Sequence, residues 1–352
     1  MKALIIGYYG SDNIGDEVLL SQTIRIMREI RPDMEIRSLS YCALKTQETH
    51  GIGTVGRNKY SSIVKAVLDS DIVVGGGGSI IQNVTSNRSL VYYLALIRIS
   101  TLLKKKVVLL GNGFGPVKGG LYRHITRRVL SGIDAFVARD GETVENLKNL
   151  GVGAKVELAS DLSYYGYESS GGGRSRRVAI NVRPWKNDSR IIGEMSKFTK
   201  RLVENGYQVE FLSMQEGKDE KLKEKIEECS GIEIPLIPNT VEGFLSGSAD
   251  YCAMVGMRLH ALIWAGLKDI PFVGIEYDPK IESYVNSANQ LGVGGVEAID
   301  SERLWEAFSE LMDNYGEMKA ALVENNSKMK EKADVNHALL KEVLETAESQ
   351  TE

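Results

Sequence analysis

The sequence predicts an α/β fold with two domains, each built on a parallel sheet covered by helices. Short apolar segments that end in Gly or Asp alternate with longer segments of helical periodicity, which is typical of βαβ units. A Gly- and Ser-rich segment interrupts this alternation near the middle of the chain. The length of 352 residues is also enough for two domains of about 150 residues each.

The first half of the chain shows the alternation most clearly. Strands are predicted at residues 3–7, 71–74, 107–110 and 135–138, and helices at 18–30, 90–103, 121–130 and 142–150. Gly151 follows the last of these helices, where glycine commonly ends a helix. We therefore expect a first domain over residues 1–170.

A segment rich in Gly, Ser and Arg, residues 171–177, is predicted to be the linker, although a hairpin tip within one domain is the alternative. Beyond it, strands are predicted at 178–182, 209–212, 251–255 and 271–275, with helices at 193–205 and 258–265 and a helical, acidic C-terminal region. These elements define a second domain over 178–352. Because open α/β sheets bind ligands beyond the carboxyl ends of their strands, we expect the two domains to face a cleft.

Composition narrows the class of protein. The formal net charge of -4 does not favour general nucleic-acid binding. The three cysteines, Cys42, Cys229 and Cys252, lack redox or metal-ligand spacing, which favours a reducing compartment. The apolar run at the N-terminus is too short for a signal peptide, and the longest apolar segment, 91–103, is broken by Arg98. We therefore expect a soluble, cytoplasmic protein.

One long segment has an unusual charge. Residues 72–133 contain no Asp or Glu and nine Lys or Arg, so the rest of the chain carries -13. This basic stretch predicts an anionic partner such as a lipid diphosphate, or peripheral contact with the inner face of the membrane. An ordinary solvated basic face is the alternative.

The first predicted strand is followed by a polar, Gly-rich loop over residues 7–17. Its glycine spacing resembles a phosphate-binding loop, but Asp16 and Glu17 stand where Lys and Ser or Thr would be needed. Two carboxylates would repel a triphosphate, so we predict a sugar site that includes Asn13, Asp16 and Glu17. The alternative is that Asp16 and Glu17 only complement the dipole of the following helix.

Two other positions in the first half are candidates for ligand contact. Gly76, Gly77, Gly78 and Ser79 are predicted to form a loop that approaches a ligand closely, although tight packing between a strand and a helix is the alternative. Arg139 follows the strand at 135–138 and is expected to face the cleft, unless it only pairs with Asp140.

The strongest candidate site follows the strand at 251–255. Arg258 and His260 are predicted to lie in the loop and the first helical turn, where backbone amides and the helix dipole favour anions. Arg258 can bind carboxylate or phosphate in a bidentate manner, and His260 can titrate near neutral pH. Lys280, after the strand at 271–275, is a further cation. No metal-ligand cluster is visible in the sequence.

Together these motifs resemble the polysaccharide pyruvyl transferases, and within them the CsaB type. The resemblance covers the whole chain in the family's order and depends most on Met-Arg-Leu-His-Ala-Leu-Ile at 257–263 and Tyr-Asp-Pro-Lys at 277–280. Gly-Tyr-Tyr-Gly at 7–10, Gly-Gly-Gly-Ser at 76–79 and Arg-Asp at 139–140 support it. Asn181 departs from the family pattern. It precedes Val182 and Arg183, and the family more often has Ser at this position.

The resemblance implies two Rossmann-like domains arranged as in GT-B glycosyltransferases. It implies phosphoenolpyruvate as co-substrate, no cofactor, and a cyclic 4,6-ketal of pyruvate on a sugar of a cell-wall polysaccharide precursor. In CsaB-type proteins the acceptor is a lipid-diphosphate-linked disaccharide with β-N-acetylmannosamine, and the ketal anchors surface-layer proteins. The matched residues would then be His260 for proton transfer, Arg139, Arg258, Lys280 and Arg183 for the donor, and the loops of the first domain for the sugar.

Two other functions stay open from the sequence. A GT-B glycosyltransferase would need a nucleotide pocket in the second domain, but no acidic ribose clamp is evident near 256–263. A non-catalytic polysaccharide-binding protein is disfavoured by the cations that follow successive strands.

Overall fold

A computed structural model describes residues 1–84, 86–169, 175–186, 188–245 and 249–348. The chain divides into two compact units. Unit 1 contains Met1–Asp12, Asp16–Tyr165 and the chain from Met329 onward, and unit 2 contains Asn13–Gly15 and Gly166–Lys328.

These units differ from the predicted domains in three places. Unit 2 resumes at Gly166, whereas the first domain was predicted to extend to residue 170. Three residues of the first loop, Asn13–Gly15, belong to unit 2, and the chain from Met329 onward belongs to unit 1. Of the predicted linker, residues 171–174 lie outside the described residues, and Arg177 already begins a strand.

Unit 1 is a seven-stranded parallel sheet with helices in its crossover connections. Its strands are β1 (Lys2–Ile6), β2 (Glu35–Ser40), β3 (Gly53–Gly56), β4 (Ile72–Ile81), β5 (Lys106–Phe114), β6 (Ala135–Ala138) and β7 (Lys155–Leu158), and its helices are α1 (Ile14–Ile30), α2 (Ala43–His50), α3 (Tyr60–Asp69), α4 (Asn87–Leu102), α5 (Gly120–Leu130) and α6 (Gly141–Leu150). The strand order is β3-β2-β1-β4-β5-β6-β7. The central strands are buried on both faces, which explains their continuous apolar runs.

Helix α4 shows how the helices of unit 1 pack. It buries Leu90, Tyr93, Leu94 and Ile97, the spacing of one helical face, in the same core as the strand residues Val73 and Val107. Tyr93 also donates a hydrogen bond of 2.9 Å to the carbonyl of Gly7, at the end of β1. The buried face of α4 thereby fixes the start of the first loop.

Unit 2 has a smaller parallel sheet. Its strands are β8 (Arg177–Asn181), β9 (Gln208–Phe211), β10 (Ala253–Gly256), β11 (Phe272–Gly274) and β12 (Leu291–Gly292), and its helices are α7 (Asp188–Glu204), α8 (Asp219–Ser230), α9 (Val241–Leu245), α10 (Leu259–Leu267), α11 (Pro279–Ser287) and α12 (Ser301–Asp313). The strand order is β12-β11-β10-β8-β9. Helix α13 (Tyr315–Glu348) begins in unit 2 and continues into unit 1.

Both sheets reverse their strand order once. In unit 1 the reversal lies between β1 and β4, and in unit 2 between β8 and β10, which are the two common doubly wound arrangements. The predicted fold class, an α/β protein with parallel sheets in two Rossmann-like domains, is confirmed.

The element predictions hold where the apolar pattern is strong, as for β6 and for α6, which Gly151 ends with a left-handed backbone. The strand predicted at 71–74 is wrong in length, because β4 continues to Ile81. None of the described helices combines the length and the apolar character that a membrane span requires.

Candidate functional site

The candidate site of unit 2 lies at the carboxyl ends of its central strands. Arg183 follows β8, the pair Arg258 and His260 follows β10, and Lys280 follows β11. Because β8, β10 and β11 are neighbours and parallel, these cations emerge at one edge of the sheet. This edge includes the reversal of strand order, where doubly wound sheets bind ligands. The sequence prediction that cations gather here is consistent with this topology.

Arg258 is held in place by three hydrogen bonds. Its backbone N–H donates to Oδ1 of Asn181 at 3.0 Å, and its guanidinium donates to Oδ1 of Asp219 at 2.5 Å and to Oε1 of Gln215 at 3.2 Å. Asp219 is fully buried and only about an eighth of the Arg258 side chain is exposed. The guanidinium is therefore held rigidly, and one carboxylate already balances part of its charge.

Arg183 is held differently. Its Nη1 donates to the hydroxyl of Tyr277 at 3.1 Å, and its guanidinium lies 5.4 Å from the Tyr277 ring centroid and 5.9 Å from that of Trp185. Within the described residues no carboxylate forms an ion pair with Arg183. Aromatic neighbours orient this cation and leave its charge for an anionic ligand.

His260 lies in the first turn of α10, which begins directly after Arg258. Gly15 packs against it so closely that a Cβ atom on Gly15 would lie 2.4 Å from Nδ1 of His260 and 2.9 Å from its Cβ. The backbone N–H of Ile14 donates to the carbonyl of Met214 at 3.1 Å, which holds this part of the first loop in unit 2. A glycine at position 15 is therefore needed to give the imidazole its space.

Lys280 is more exposed than Arg258. It lies in the first turn of α11, and its Nζ is 3.4 Å from Oδ2 of Asp278, the residue that caps this helix. Both side chains are about one-third exposed. Surface ion pairs of this kind hold a side chain only weakly, so Lys280 can turn toward a ligand.

In unit 1, the two acidic residues of the first loop lie in the first turn of α1. Glu17 accepts the backbone N–H of Gly10 at 2.7 Å through Oε1 and contacts Nε2 of His50 at 2.8 Å through Oε2. This geometry supports the structural interpretation for Glu17, because both of its oxygens hold the loop together. Asp16 is half-buried, and its Oδ1 is the nearest atom to a Cβ built on Gly78, at 3.6 Å.

The loop predicted at Gly76, Gly77, Gly78 and Ser79 is wrong, because these residues form part of strand β4. A Cβ atom on Gly76 would lie 2.5 Å from the hydroxyl of Tyr9, so this glycine is required by packing. Tyr9 donates to the carbonyl of Gly76 at 2.7 Å, and burial raises its pKa well above the usual value, which keeps it a donor. Gly77 and Gly78 adopt positive φ angles of 76° and 75° at an irregularity of the β4–β5 pairing.

Arg139 follows β6 and reaches the end of β4. Its Nη2 donates to Oγ of Ser79 at 3.1 Å, and its guanidinium also pairs with Asp140 at 3.2 Å and Asp161 at 3.8 Å. Its side chain is almost completely buried. The local pairing with Asp140 that the sequence left open therefore exists, and Arg139 holds Ser79 in place.

Sequence reasoning missed most partners of the candidate residues, and three of them illustrate why. Asp219 and Gln215 orient Arg258, and His50 binds Glu17. They are distant in sequence from the residues they contact, and no local motif marks them. In the described part of the chain, no three His, Cys, Asp or Glu side chains group as a metal site would require.

Comparison with known proteins gives a family and a fold. The family model described as polysaccharide pyruvyl transferase matches residues 13–279. No curated protein matches the chain by sequence.

Solved structures show the fold. The chain superposes on Neisseria meningitidis UDP-GlcNAc 2-epimerase bound to UDP-GlcNAc with a TM-score of 0.63 and 11% identity over 97% of this chain and 99% of the epimerase. The S. aureus MnaA–UDP structure gives 0.64 and 12% over 96% and 94%, and Anabaena Alr3699/HepE with UDP gives 0.62 and 12% over 98% and 100%. The fold is thus GT-B-like.

The contact between Gly15 and His260 can be tested by Gly15→Ala. The added methyl group overlaps the imidazole, so we expect His260 to shift and turnover to fall by more than about tenfold, since misplaced catalytic groups are costly. Steady-state turnover and melting temperature should be measured together.

Gly141→Ala is the matched control, because Gly141 also lies in the first turn of a helix and its Cβ would meet nothing within 4 Å. Equal activity of the two variants would show that Gly15 has no role in placing His260.

Proposed function

The chain belongs to the polysaccharide pyruvyl transferase family, and we propose that it transfers the enolpyruvyl group of phosphoenolpyruvate to a sugar, forming a 4,6-ketal and releasing phosphate. The observation that carries this proposal is the set of cations after three adjacent parallel strands of unit 2. Arg183, Arg258 and Lys280 surround the position where this fold binds ligands, with His260 among them.

Phosphoenolpyruvate carries a phosphate and a carboxylate on one small carbon skeleton, so its binding requires several cations. Arg183 is the strongest candidate, because aromatic rings and a hydroxyl hold it without balancing its charge. Arg258 offers a rigid guanidinium whose Nε–H is buried and donates to no partner among the described residues. Lys280 adds a mobile point charge at the rim. Planar arginine groups suit phosphate and carboxylate because they can donate two parallel hydrogen bonds.

The reaction needs a proton for the methylene carbon and a base for two sugar hydroxyls. Protonation of that carbon makes the central carbon electrophilic, one hydroxyl adds to it, and phosphate leaves with the electron pair of the C–O bond. The second hydroxyl then adds to the same carbon and closes the ketal. His260 is the histidine at this edge of the sheet and is proposed to transfer these protons.

For the acceptor we propose the substrate of the CsaB type, β-N-acetylmannosamine on a lipid-diphosphate-linked disaccharide. The loop residues Asn13 and Asp16 are its proposed contacts, and Ser79, which Arg139 orients, is a third. We propose that Glu17 and Gly76–Gly78 do not contact the acceptor sugar directly. They fix the backbone conformation of the segments that hold its proposed contacts. Such an acceptor would place the reaction at the inner face of the membrane and would serve surface-layer anchoring.

A nucleotide-sugar glycosyltransferase is the second candidate, because the structural relatives include complexes with UDP and UDP-GlcNAc. The two candidates make opposite demands on Arg183. A small trianion needs its free charge, whereas a uridine ring would instead stack on the aromatic side chains that hold it. A comparison of ligands by thermal shift separates them.

Phosphoenolpyruvate should raise the melting temperature of the wild type, and UDP-sugars should not. Arg183→Gln and Arg258→Gln should each weaken phosphoenolpyruvate binding by roughly 10- to 100-fold, because a hydrogen bond to a charged group contributes about 1.5–3 kcal/mol. Lys280→Gln should weaken phosphoenolpyruvate binding less, since water partly screens the charge of Lys280.

Arg201→Gln is the control for the loss of charge, because Arg201 lies in the last turn of α7, at the opposite edge of the sheet. If all three site variants bind phosphoenolpyruvate as tightly as this control, the donor site is placed wrongly.

His260→Gln should reduce turnover by roughly 10²- to 10⁴-fold and change donor affinity much less, as expected for a residue that transfers a proton. The melting temperature of the same variant shows whether the fold is intact. The exposed His124 on α5 gives the control His124→Gln, which should keep full activity. Near wild-type turnover of His260→Gln would remove His260 from the mechanism.

A further inference from the structure

An apolar cavity of about 500 Å³ opens on the outer face of α3, α4 and α5 in unit 1. Its walls include Tyr60, Val64, Val91, Tyr92, Ile99 and Tyr122. Helix α4 thus has two apolar faces, one packed on the sheet and one lining this cavity. A second apolar face on a helix of the water-exposed layer indicates that something apolar covers that face.

Large apolar side chains of the three helices that form the cavity are unusually exposed. Tyr60 is 77% exposed, Leu121 is 70% exposed and Val91 is 50% exposed. Single exposed apolar residues are common, but a group around an apolar cavity marks an interaction surface. The hydroxyl of Tyr92 is buried in this wall and has no hydrogen-bond partner among the described residues. The surface therefore combines an apolar cavity with one buried hydroxyl group, that of Tyr92, in its wall.

The same end of these helices carries exposed cations. Lys59 precedes α3, Arg88 lies in the first turn of α4, Lys118 precedes α5 and Arg123 lies in its first turns. No acidic residue occurs at positions 49–68 or 72–133, which contain all of α4 and α5 and nearly all of α3. The helices that form the opening thus carry several exposed cations at this end and, apart from Asp69 at the other end of α3, no acidic residue.

In the structure, the cations of the basic stretch at residues 72–133 lie at both ends of helix α4. Helix α4 has 16 residues, so its two ends are separated by roughly 24 Å. Lys104, Lys105 and Lys106 follow the far end, where Lys105 donates to the carbonyl of Leu68 at 2.8 Å and Lys106 pairs with Asp134 at 3.2 Å. The cations near Arg88 and those near Lys105 therefore cannot serve one small ligand.

We propose that the face formed by Tyr60, Arg88, Val91, Lys118, Leu121 and Arg123 docks on an anionic phospholipid bilayer and that the cavity takes one of its acyl chains. Apolar side chains that enter the interface, together with cations that meet anionic headgroups, are the combination that holds peripheral proteins on membranes. A second copy of the chain fits less well, because it would bring two positive faces together.

This inference does not depend on the proposed function. Vesicle binding is measured without phosphoenolpyruvate and without a sugar, so a failure of either proposal leaves the other standing. The probe is a set of vesicles of phosphatidylglycerol and phosphatidylcholine in equal parts, with pure phosphatidylcholine vesicles as the neutral reference.

The charge test compares two triple variants. The first variant removes three cations from the proposed face and is Arg88→Gln/Lys118→Gln/Arg123→Gln. The second variant removes three cations that lie elsewhere on α4 and α5 and in the turn that follows α4, and is Arg98→Gln/Lys104→Gln/Arg128→Gln. We expect the first to reduce the partition coefficient on anionic vesicles by about 100-fold and the second by less than about fivefold. Equal loss in both would show a general basic surface and overturn the docking site.

The apolar test is Tyr60→Ser/Leu121→Ser, which changes two exposed side chains and should leave the melting temperature unchanged. We expect roughly tenfold weaker binding to anionic vesicles. Unchanged binding would overturn the role of the apolar opening. A different result would assign the face to a second copy of the chain. In that case the wild type would not bind vesicles but would form a dimer, and Tyr60→Ser/Leu121→Ser would dissociate that dimer.

Discussion

The reversal of strand order between β8 and β10 is the constraint on which the proposed chemistry depends. The connections that leave these two neighbouring strands go in opposite directions, so the loops beyond their carboxyl ends separate and leave space for a ligand. Arg183, Arg258 and His260 are placed at this space by strand pairing alone. Hydrogen bonds from Asn181, at the end of β8, to Leu212 and from Arg258 to Asn181 then join the ends of β9, β8 and β10. A change in this register would move every candidate group of unit 2.

The three arginines of the candidate sites are held in different ways, and the difference has chemical consequences. Arg139 and Arg258 are bound by buried carboxylates, Asp161 and Asp219, which fixes their geometry but balances much of their charge. Removing one partner of such a pair is costly because it leaves the other charge buried. Arg183 is held by aromatic rings and keeps its charge. In the proposed sites, Arg139 and Arg258 therefore contribute rigid geometry, and Arg183 contributes a charge that no carboxylate of the described residues balances.

The sequence predicted the fold class and the position of the candidate residues just after the strands of unit 2, because both follow from local patterns. Strand β6 and the end of α6 are examples in which apolar runs and a terminal glycine suffice. The glycines of β4 were predicted as a loop because local reasoning cannot know that β5 continues beside them and keeps the strand paired. The contacts of Arg258 with Asp219, of Glu17 with His50 and of Gly15 with His260 join distant segments, so only the folded chain reveals them.

The proposed use of phosphoenolpyruvate to pyruvylate a sugar can be tested directly. The most direct measurement is phosphate release from phosphoenolpyruvate upon addition of synthetic lipid-diphosphate-linked saccharides, with mass analysis of the saccharide. We expect phosphate release that requires an acceptor, one pyruvate ketal for each phosphate, and an acceptor preference for terminal β-N-acetylmannosamine. Absence of phosphate release with every acceptor, together with consumption of a UDP-sugar by the same protein, would contradict it.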